Sequence, residues 1–333
     1  MLWGNRTKLG GSGHHNLPCS PGGLLSDLEG TGVSFVDCSN WNVNDNVIRS
    51  IGKECRSTLI ELIITAPTIT DVSPLSTLRK LRRLTLINAD PDLLPPGSLA
   101  ALSPLHSLSS SCTTFNSQLA ELNLSGCGSA LNDEAMITIV QFHGARLQIL
   151  NIARTRCGDL GAMHIGSYCH ELLRVDLSHT LIKGKGMNAI LDSNSKLVSV
   201  ISAGLEHCSG RVALVHVEVD KVAAFKHQLI ALSLRGCQSV RNACCYWMNT
   251  FQSLRDLDVS GCRLISDAGV VELSKLSRLE RLRARGLPLI TTVGASVLLR
   301  ELRKMQCCDI SGCIRVDDHP FELWSRAEEV HFL

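Results

Sequence analysis

The sequence predicts an α/β solenoid, in which strand–helix units stack side by side to form a parallel sheet with helices behind it. One observation is a repeated spacing of 25 residues between leucines: Leu147, Leu172 and Leu197, then Leu229, Leu254 and Leu279. These leucines open the pattern L-x-x-L-x-L or an apolar variant of it, which is clearest at 254–259 and degenerate at 197–202, where Ser202 replaces the third apolar residue. A helical spacing of apolar residues follows this pattern. Fixed periods of this size are typical of repeat arrays, which expose long faces and mostly bind proteins.

The strand half of each unit follows from the alternation in L-x-x-L-x-L, which places the fourth and sixth residues in the core and the residues between them outside. Strands are predicted to begin near Val33, Leu59, Leu81, Leu119, Leu147, Leu172, Leu197, Leu229, Leu254, Leu279 and Met305. This gives about ten or eleven repeats within residues 31–313. The Gly-rich segment 1–30 is predicted to be a flexible tail, and 314–333 a C-terminal cap.

Two stretches break the period and predict irregular insertions. Residues 91–117 contain Pro91, Pro95, Pro96 and a serine run, and predict a mobile loop or short helix that leaves the convex side. Residues 210–225 contain alternating apolar positions that fit either an extra strand or a long helix. Pro74 predicts a 3₁₀ or irregular segment in the second unit.

The helix half is clearest after Leu254. Val270, Leu273 and Leu276 recur every three residues and form one apolar face. Ser266 is predicted to cap this helix, and Asp267 to complement its dipole. Because a helix is wider than a strand, the array is predicted to bend into a horseshoe, with strands on the concave side and helices outside.

The ninth position of the repeat, where the chain turns back inside, is often cysteine: Cys127, Cys237, Cys262 and Cys313. A thiol is small enough to pack in a leucine core and can donate weakly to turn carbonyls. The cysteine spacings lack the paired C-x₂₋₄-C pattern of zinc sites, so a structural role is favoured over a metal site. No nucleophile, phosphate or dinucleotide motif indicates catalysis, and we expect no enzyme activity and no cofactor.

Composition restricts the partners and the compartment. The formal net charge is +2, which does not indicate a nucleic-acid-binding protein. The sequence contains no recognisable secretory signal and no apolar run long enough to span a membrane. Fifteen cysteines then indicate a reducing, intracellular setting, with the cytoplasm favoured and the nucleus, cytoskeleton and mitochondria left open. Residues 1–26 also bear a weak similarity to a transit peptide, although a disordered tail is favoured.

The third, fifth and seventh positions of each unit point to the concave side, and we call this surface the strand face. It is the predicted partner-binding surface, and its candidate residues are Arg174, Asp176, Arg235, Asp256, Asp258, Arg281, Arg283 and Arg285. One interpretation is a self-neutralising ladder, in which the two acids pair with Arg281 and Arg283 while Arg285 and Arg235 stay partly unmatched. The other is a docking patch for an acidic or phosphorylated partner.

The repeat resembles that of the cysteine-containing leucine-rich repeat family, L-x-x-L-x-L-x-x-C-x-x-I-T-D-x-G-L, over residues 33–313. In that family the repeats typically form the substrate-recruiting arm of F-box proteins in ubiquitin ligases. They also occur in relatives without an F-box, including the antagonist-of-mitotic-exit type, and in axonemal and mitochondrial assembly proteins. The resemblance implies a non-enzymatic adaptor without its own F-box. The alternatives are a structural subunit of an axonemal, cytoskeletal or mitochondrial assembly, and an enzyme inhibitor or GTPase regulator. The sequence leaves the oligomeric state open.

Overall fold

The structure is a computed structural model that describes residues 33–39, 42–65, 68–87, 94–103, 118–204, 229–316 and 329–331. The chain divides into two compact units, Met1–Glu171 and Leu172–Leu333. In each unit the strands lie in chain order in a parallel sheet, which confirms the predicted α/β leucine-rich repeat solenoid. The predicted tail 1–30 and the insertion 210–225 lie outside the described residues.

The first unit contains five strands of the main sheet among its described residues. Its elements are β1 (Phe35–Cys38), α1 (Asp45–Glu54), β2 (Glu61–Thr65), β3 (Arg83–Ile87), β4 (Glu121–Asn123), β5 (Gly128–Asn132), α2 (Asp133–His143), β6 (Ile149–Asn151), β7 (Thr155–Arg156) and α3 (Asp159–Tyr168). Strands β5 and β7 form a separate two-stranded sheet. Short 3₁₀ helices cover Ser73–Thr77, Ser98–Leu102 and Gly144–Arg146. The first of these begins at Ser73 and contains Pro74 in its first turn, where the fixed φ of proline suits a helix start, so the prediction of a 3₁₀ segment at Pro74 is confirmed.

The second unit repeats the same order with a more regular period. Its elements are β8 (Arg174–Asp176), α4 (Gly184–Ser193), β9 (Ser199–Ile201), β10 (Ala231–Ser233), α5 (Asn242–Met248), β11 (Asp256–Asp258), α6 (Asp267–Leu273), β12 (Arg281–Arg283), α7 (Thr292–Glu301), β13 (Cys307–Asp309) and β14 (Glu329–His331). Strand β14 belongs to the predicted C-terminal cap and pairs parallel with β13. In the part of the chain that the structure describes, no helix is long and apolar enough to cross a membrane.

The core is formed by the alternation that the repeat predicts. In β11 and the residue after it, Leu257 and Val259 are fully buried. Leu257 lies in register with Leu232 on one side and Leu282 on the other, so leucines of adjacent strands stack directly. This ladder of buried leucines removes apolar surface from water and holds each repeat against its neighbours.

A left-handed backbone conformation recurs at the eighth position of the repeat. Glycine occupies it at Gly126, Gly204, Gly236, Gly261, Gly286 and Gly312, with φ between 62° and 79°. Two repeats place other residues there, Arg154 (φ 57°) and His179 (φ 56°). Glycine suits this turn because it has no Cβ to clash in the left-handed region.

The first residue of several helices bonds to the following repeat. The Asp267 carboxylate accepts hydrogen bonds from the backbone N–H of Thr291 (2.8 Å) and its hydroxyl (2.6 Å). Ser266 lies at the N-cap position of α6, but its hydroxyl accepts from the Asn242 side chain (2.8 Å) and makes no cap bond. The prediction that Ser266 caps its own helix is therefore wrong, because a neighbouring repeat supplies its partner.

Part of the predicted insertion at 91–117 is packed. Leu94, Leu99 and Leu102 are buried, and the Ser103 hydroxyl donates to the Thr138 carbonyl (3.1 Å) in α2. Residues 94–103 therefore contribute to the core of the first unit. Residues 104–117 lie outside the described residues, and the hypothesis that this segment is mobile stays a prediction.

Candidate functional site: the strand face of the second unit

All eight candidate residues lie in the second unit, and its sheet sets their order. Strand pairing places Asp256 opposite Arg281 and Asp258 opposite Arg283, as the repeat register predicts. Arg174 and Asp176 lie on β8, three strands before β11. At about 4.8 Å per strand they are about 14 Å from Asp256. The structure therefore brings six of the eight candidates together and leaves Arg174 and Asp176 apart.

Asp256 is the centre of the charged cluster. Its carboxylate accepts from Nε of Arg281 at 2.9 Å and from Nη1 of Arg283 at 3.2 Å. The hydrogen bond and charge of Asp256 raise the pKa of Arg281. The ladder interpretation paired each acid with one arginine, and this detail of it is wrong because Asp256 accepts from both arginines.

Asp258 instead completes the turn after its own strand. Its side chain is buried and accepts from the backbone N–H of Ser260 at 2.9 Å. The same bond from the fifth to the seventh position recurs at the other strand ends that carry Asp or Asn there: Asp37, Asn123, Asn151, Asp176 and Asp309. Asp258 and Asp176 thus have a structural role. The recurring D-x-S spacing in 176–178, 258–260 and 309–311 is the sequence signal that could have indicated it.

Arg285 also differs from the expectation. Its Nε donates to the Ser311 hydroxyl at 2.8 Å and lies 3.4 Å from an oxygen of Asp309. Arg285 is therefore matched, and Asp309 and Ser311 are site residues that the sequence reasoning missed. By contrast, the exposed side chain of Arg235 makes no hydrogen bond or ion pair with any described residue, in line with the expectation for it.

The ninth-position thiols lie beneath this face and complete its loops. Each donates to a main-chain carbonyl of the preceding repeat: Cys127 to Leu86, Cys237 to Ser202, Cys262 to Leu234 and Cys313 to Ala284, at 3.0–3.4 Å. Burial raises the pKa of the Cys262 and Cys313 thiols, which keeps them protonated and able to donate. Within the described ranges, no group of three or more His, Cys, Asp or Glu side chains could hold a metal ion.

Solved structures similar to this chain include an internalin, InlF, of Listeria monocytogenes, with a TM-score of 0.58 and 17% identity over 90% of this chain and 81% of that chain. Internalin C2 of the same organism gives a TM-score of 0.45 and 16% identity, over 65% of this chain and 81% of that chain. The yeast Rad7 and Elc1 complex gives 0.42 and 13%, over 93% and 86%. No protein-family model and no curated protein matches the sequence. The likeness to InlF shows the leucine-rich repeat fold alone.

Proposed function

We propose that the protein is a non-enzymatic protein-binding protein whose strand face captures an acidic segment of its partner. The surface is centred on Arg281, Arg283 and Arg285. The repeat fold supports the general role, because such arrays expose extended faces that suit protein partners. The chemistry of these three arginines supports the acidic partner.

The supporting observation is a difference in exposure between the two charges of each pair. The side chains of Arg281, Arg283 and Arg285 are 46, 45 and 57% exposed, whereas those of Asp256 and Asp309 are 20 and 12% exposed. The carboxylates therefore lie lower on the sheet, and the guanidinium groups project toward solvent. Each arginine reaches its internal partners through a single nitrogen, so other donors of its planar fork can bind a carboxylate or phosphate.

The internal partners also fix the arginines in place. Ordering a long side chain costs about 0.5–1.5 kcal/mol when a partner binds. Asp256 and Ser311 already hold Arg281, Arg283 and Arg285 in the free protein, which reduces that cost. The ion pairs of the ladder interpretation thus order the same arginines that the docking-patch interpretation assigns to the partner.

Charge reversal tests this proposal. The triple variant Arg281→Glu, Arg283→Glu, Arg285→Glu is compared with a matched control, Arg278→Glu, Arg303→Glu, Lys304→Glu, whose sites are exposed where the helices lead into the next strands. Circular dichroism first establishes that both variants fold. Affinity purification with quantitative mass spectrometry is then expected to lose the acidic partners only with the strand-face variant. Recovery of the same partners by both variants would show that these arginines do not bind them.

We further propose an intracellular adaptor role, as the family resemblance implies, including substrate recruitment to a ubiquitin ligase. An adaptor exchanges its partners and is recovered mostly free. A structural subunit of an axonemal, cytoskeletal or mitochondrial assembly sediments with that assembly in a gradient. An inhibitor or GTPase regulator changes the rate of a purified enzyme. Gradient sedimentation of the native protein separates the first role from the second, and a rate assay identifies the third.

A further inference from the structure

Basic residues outnumber acidic ones between residues 229 and 316. Residues 229–316 contain thirteen Lys and Arg against seven Asp and Glu, a net charge of +6, whereas the formal charge of the full chain is +2. Residues 317–333 follow with five Asp and Glu against one Arg and offset four of these charges, and residues 1–228 are neutral. The strand-face arginines account for only part of this excess, because acids lie beside them.

The excess is most marked in the loops that follow the strands. We call the surface made by 234–241, 259–266, 284–291 and 310–316 the loop edge. It carries five arginines, Arg235, Arg241, Arg263, Arg285 and Arg315, and no Asp or Glu, and Asp317 and Asp318 follow its last loop directly in the sequence. All five are exposed. Since the strands are parallel, these loops leave the sheet at the same edge, and their charges add over adjacent repeats.

Apolar side chains lie exposed among these arginines. Leu264 is 42% exposed, Leu289 37% and Ile314 81%. Backbone bridges link Ser266 to Leu289 and Arg241 to Leu264, so consecutive loops run side by side. Exposed apolar groups that are rimmed by like charges are typical of a binding surface. Exposing these apolar side chains to water alone would be unfavourable.

The loops are also fixed before any partner arrives. Gly236, Gly261 and Gly286 donate their N–H groups to Ser260, Arg285 and Ser311 of the next repeat at 2.7–2.8 Å. The buried thiols tie the same loops to the preceding repeat. A rigid surface loses little entropy when it binds a flexible chain.

We propose that the loop edge docks an extended, acidic protein segment that carries apolar residues between its carboxylates. The carboxylates bind Arg263, Arg315 and their neighbours, and the apolar side chains cover Leu264, Leu289 and Ile314. Four repeats span about 14 Å between the first and last strand, which is the length of about four residues of extended chain. The footprint is therefore that of a short linear segment. This surface is distinct from the strand-face patch of Arg281 and Arg283, with Arg235 and Arg285 at the border between them.

A peptide binding assay tests the proposal without a known partner. The probe is a fluorescent peptide that alternates aspartate with leucine. Its comparison peptides replace leucine with serine, or aspartate with lysine, and a short single-stranded DNA serves as the nucleic-acid probe. Fluorescence anisotropy of the full chain is expected to show the tightest binding for the alternating acidic peptide. Equal binding of the serine peptide overturns the apolar part of the proposal, and tighter binding of DNA overturns the protein partner.

Variants locate the site. The variant Arg263→Glu, Arg315→Glu is expected to weaken peptide binding about tenfold, since two charge contacts become repulsive. The variant Leu264→Ser, Leu289→Ser is expected to weaken it several-fold. The matched control Arg278→Glu, Lys304→Glu makes the same charge change where the helices lead into the next strands and is expected to bind as the wild type does. An equal loss in the control shows only general electrostatic attraction and overturns the site.

A photo-crosslinking peptide keeps the test valid if a variant fails to fold. Crosslinks of the wild-type protein are expected at residues 263–264, 289 and 314–315. Crosslinks confined to 281–283 would overturn the loop edge while supporting the strand-face proposal. Conversely, loop-edge crosslinks that persist in the Arg281, Arg283, Arg285 triple variant support this inference even if the strand-face proposal fails.

Discussion

The thiol of Cys262 donates a hydrogen bond to the backbone carbonyl of Leu234, 3.1 Å away in the preceding repeat. Cys262 is fully buried, and burial raises the pKa of its thiol. The carbonyl belongs to the sixth position, where the strand ends, and also accepts from the backbone N–H of Cys237 in its own turn at 3.0 Å, so the thiol is a second donor that links this turn to the next repeat. The ninth-position cysteine is therefore part of the repeat structure.

Removing this thiol is expected to destabilise the protein. The substitution Cys262→Ala deletes a buried atom and removes one of the two donors to the Leu234 carbonyl, which keeps the N–H of Cys237, so it should cost about 1–2 kcal/mol of unfolding free energy. Cys307→Ala is the matched control, because that side chain is only half-buried, and should cost less than about 0.5 kcal/mol. Urea unfolding of both variants measures the difference. Equal losses would show that the buried hydrogen bond contributes nothing.

The reactivity of each thiol should also depend on whether its side chain is buried. Burial raises the pKa of Cys38 to about 11 and of Cys169 and Cys245 to about 12, so these thiols carry almost no thiolate near pH 8. Among the twelve described cysteines only Cys307 is not buried, and it should be the first of them to react with iodoacetamide. Mass spectrometry of peptides after timed alkylation measures each site. Alkylation of Cys169 as fast as Cys307 in the native protein would contradict the described burial.

Two substitutions at the left-handed turn position should differ in their effect on stability. In Gly286→Ala the new Cβ meets no atom within 4 Å, so its cost of about 1–2 kcal/mol comes from the positive φ of 62° alone. Arg154→Gly removes the same strain but adds freedom to the unfolded chain, and should leave stability within about 0.5 kcal/mol of wild type. Thermal unfolding compares the two. A large loss in Arg154→Gly would indicate that this side chain contributes contacts beyond its backbone conformation.

Two neighbouring acids should differ in their contribution to stability. Asp258→Ala leaves the buried N–H of Ser260 without a partner and should cost about 1–3 kcal/mol. Asp256→Ala breaks only exposed ion pairs and should cost less than about 1 kcal/mol. The second variant also removes the negative charge beside Arg281 and Arg283, and the stronger attraction for an acidic peptide should outweigh the lost ordering of the two side chains, so it should bind such a peptide more tightly. Urea unfolding and peptide anisotropy check both statements, and the reverse order of stability would contradict the assigned roles.

Asp45 predicts a change of stability with pH. Burial raises the pKa of Asp45, but hydrogen bonds from the backbone N–H and hydroxyl of Thr70 and from the backbone N–H of Asp71 outweigh this. The pKa of Asp45 is therefore lowered. A folded pKa below the unfolded value of about 3.9 gives stabilisation that is present above about pH 4 and lost as pH falls through the folded pKa. The effect is small because Asp45 is partly exposed. Asp45→Asn should therefore lower the unfolding free energy at pH 7, and the difference should vanish at low pH.

A series of urea unfolding curves from pH 7 to strong acid measures this change. Glu134→Gln is the control, since Glu134 also lies in the first turn of a helix but is exposed. It should show no comparable dependence. A difference between Asp45→Asn and wild type that persists unchanged in acid would contradict the assigned role of the carboxylate.

The fold could be predicted from the sequence because its signal is repeated. A single leucine does not predict a strand register. The 25-residue spacing of Leu229, Leu254 and Leu279 predicts that these leucines align across adjacent strands, and the strands pair in that register. The ninth-position thiol followed from the same spacing. Position within the repeat therefore predicted which side chains share a face.

Hydrogen-bond partners could not be predicted in the same way. Asp256 and Asp258 lie on either side of Leu257, and although the D-x-S spacing at 258–260 could indicate the bond to Ser260, no spacing indicates that Asp256 accepts from two arginines. Ser266 looked like a helix cap because the partner that occupies its hydroxyl, Asn242, comes from another repeat. Choices between partners at similar distances depend on side-chain positions, which a spacing pattern does not contain.

The acids that begin the helices make their bonds forward along the chain. Asp45 reaches Thr70, Asp133 reaches Gly158 and Asp267 reaches Thr291, each in the next repeat. A newly synthesised repeat therefore lacks the donors for its own carboxylate until its successor has folded against it. Nearest-neighbour coupling of this kind makes unfolding cooperative over several repeats. It also gives the array a direction, in which loss of a repeat weakens the one before it more than the one after.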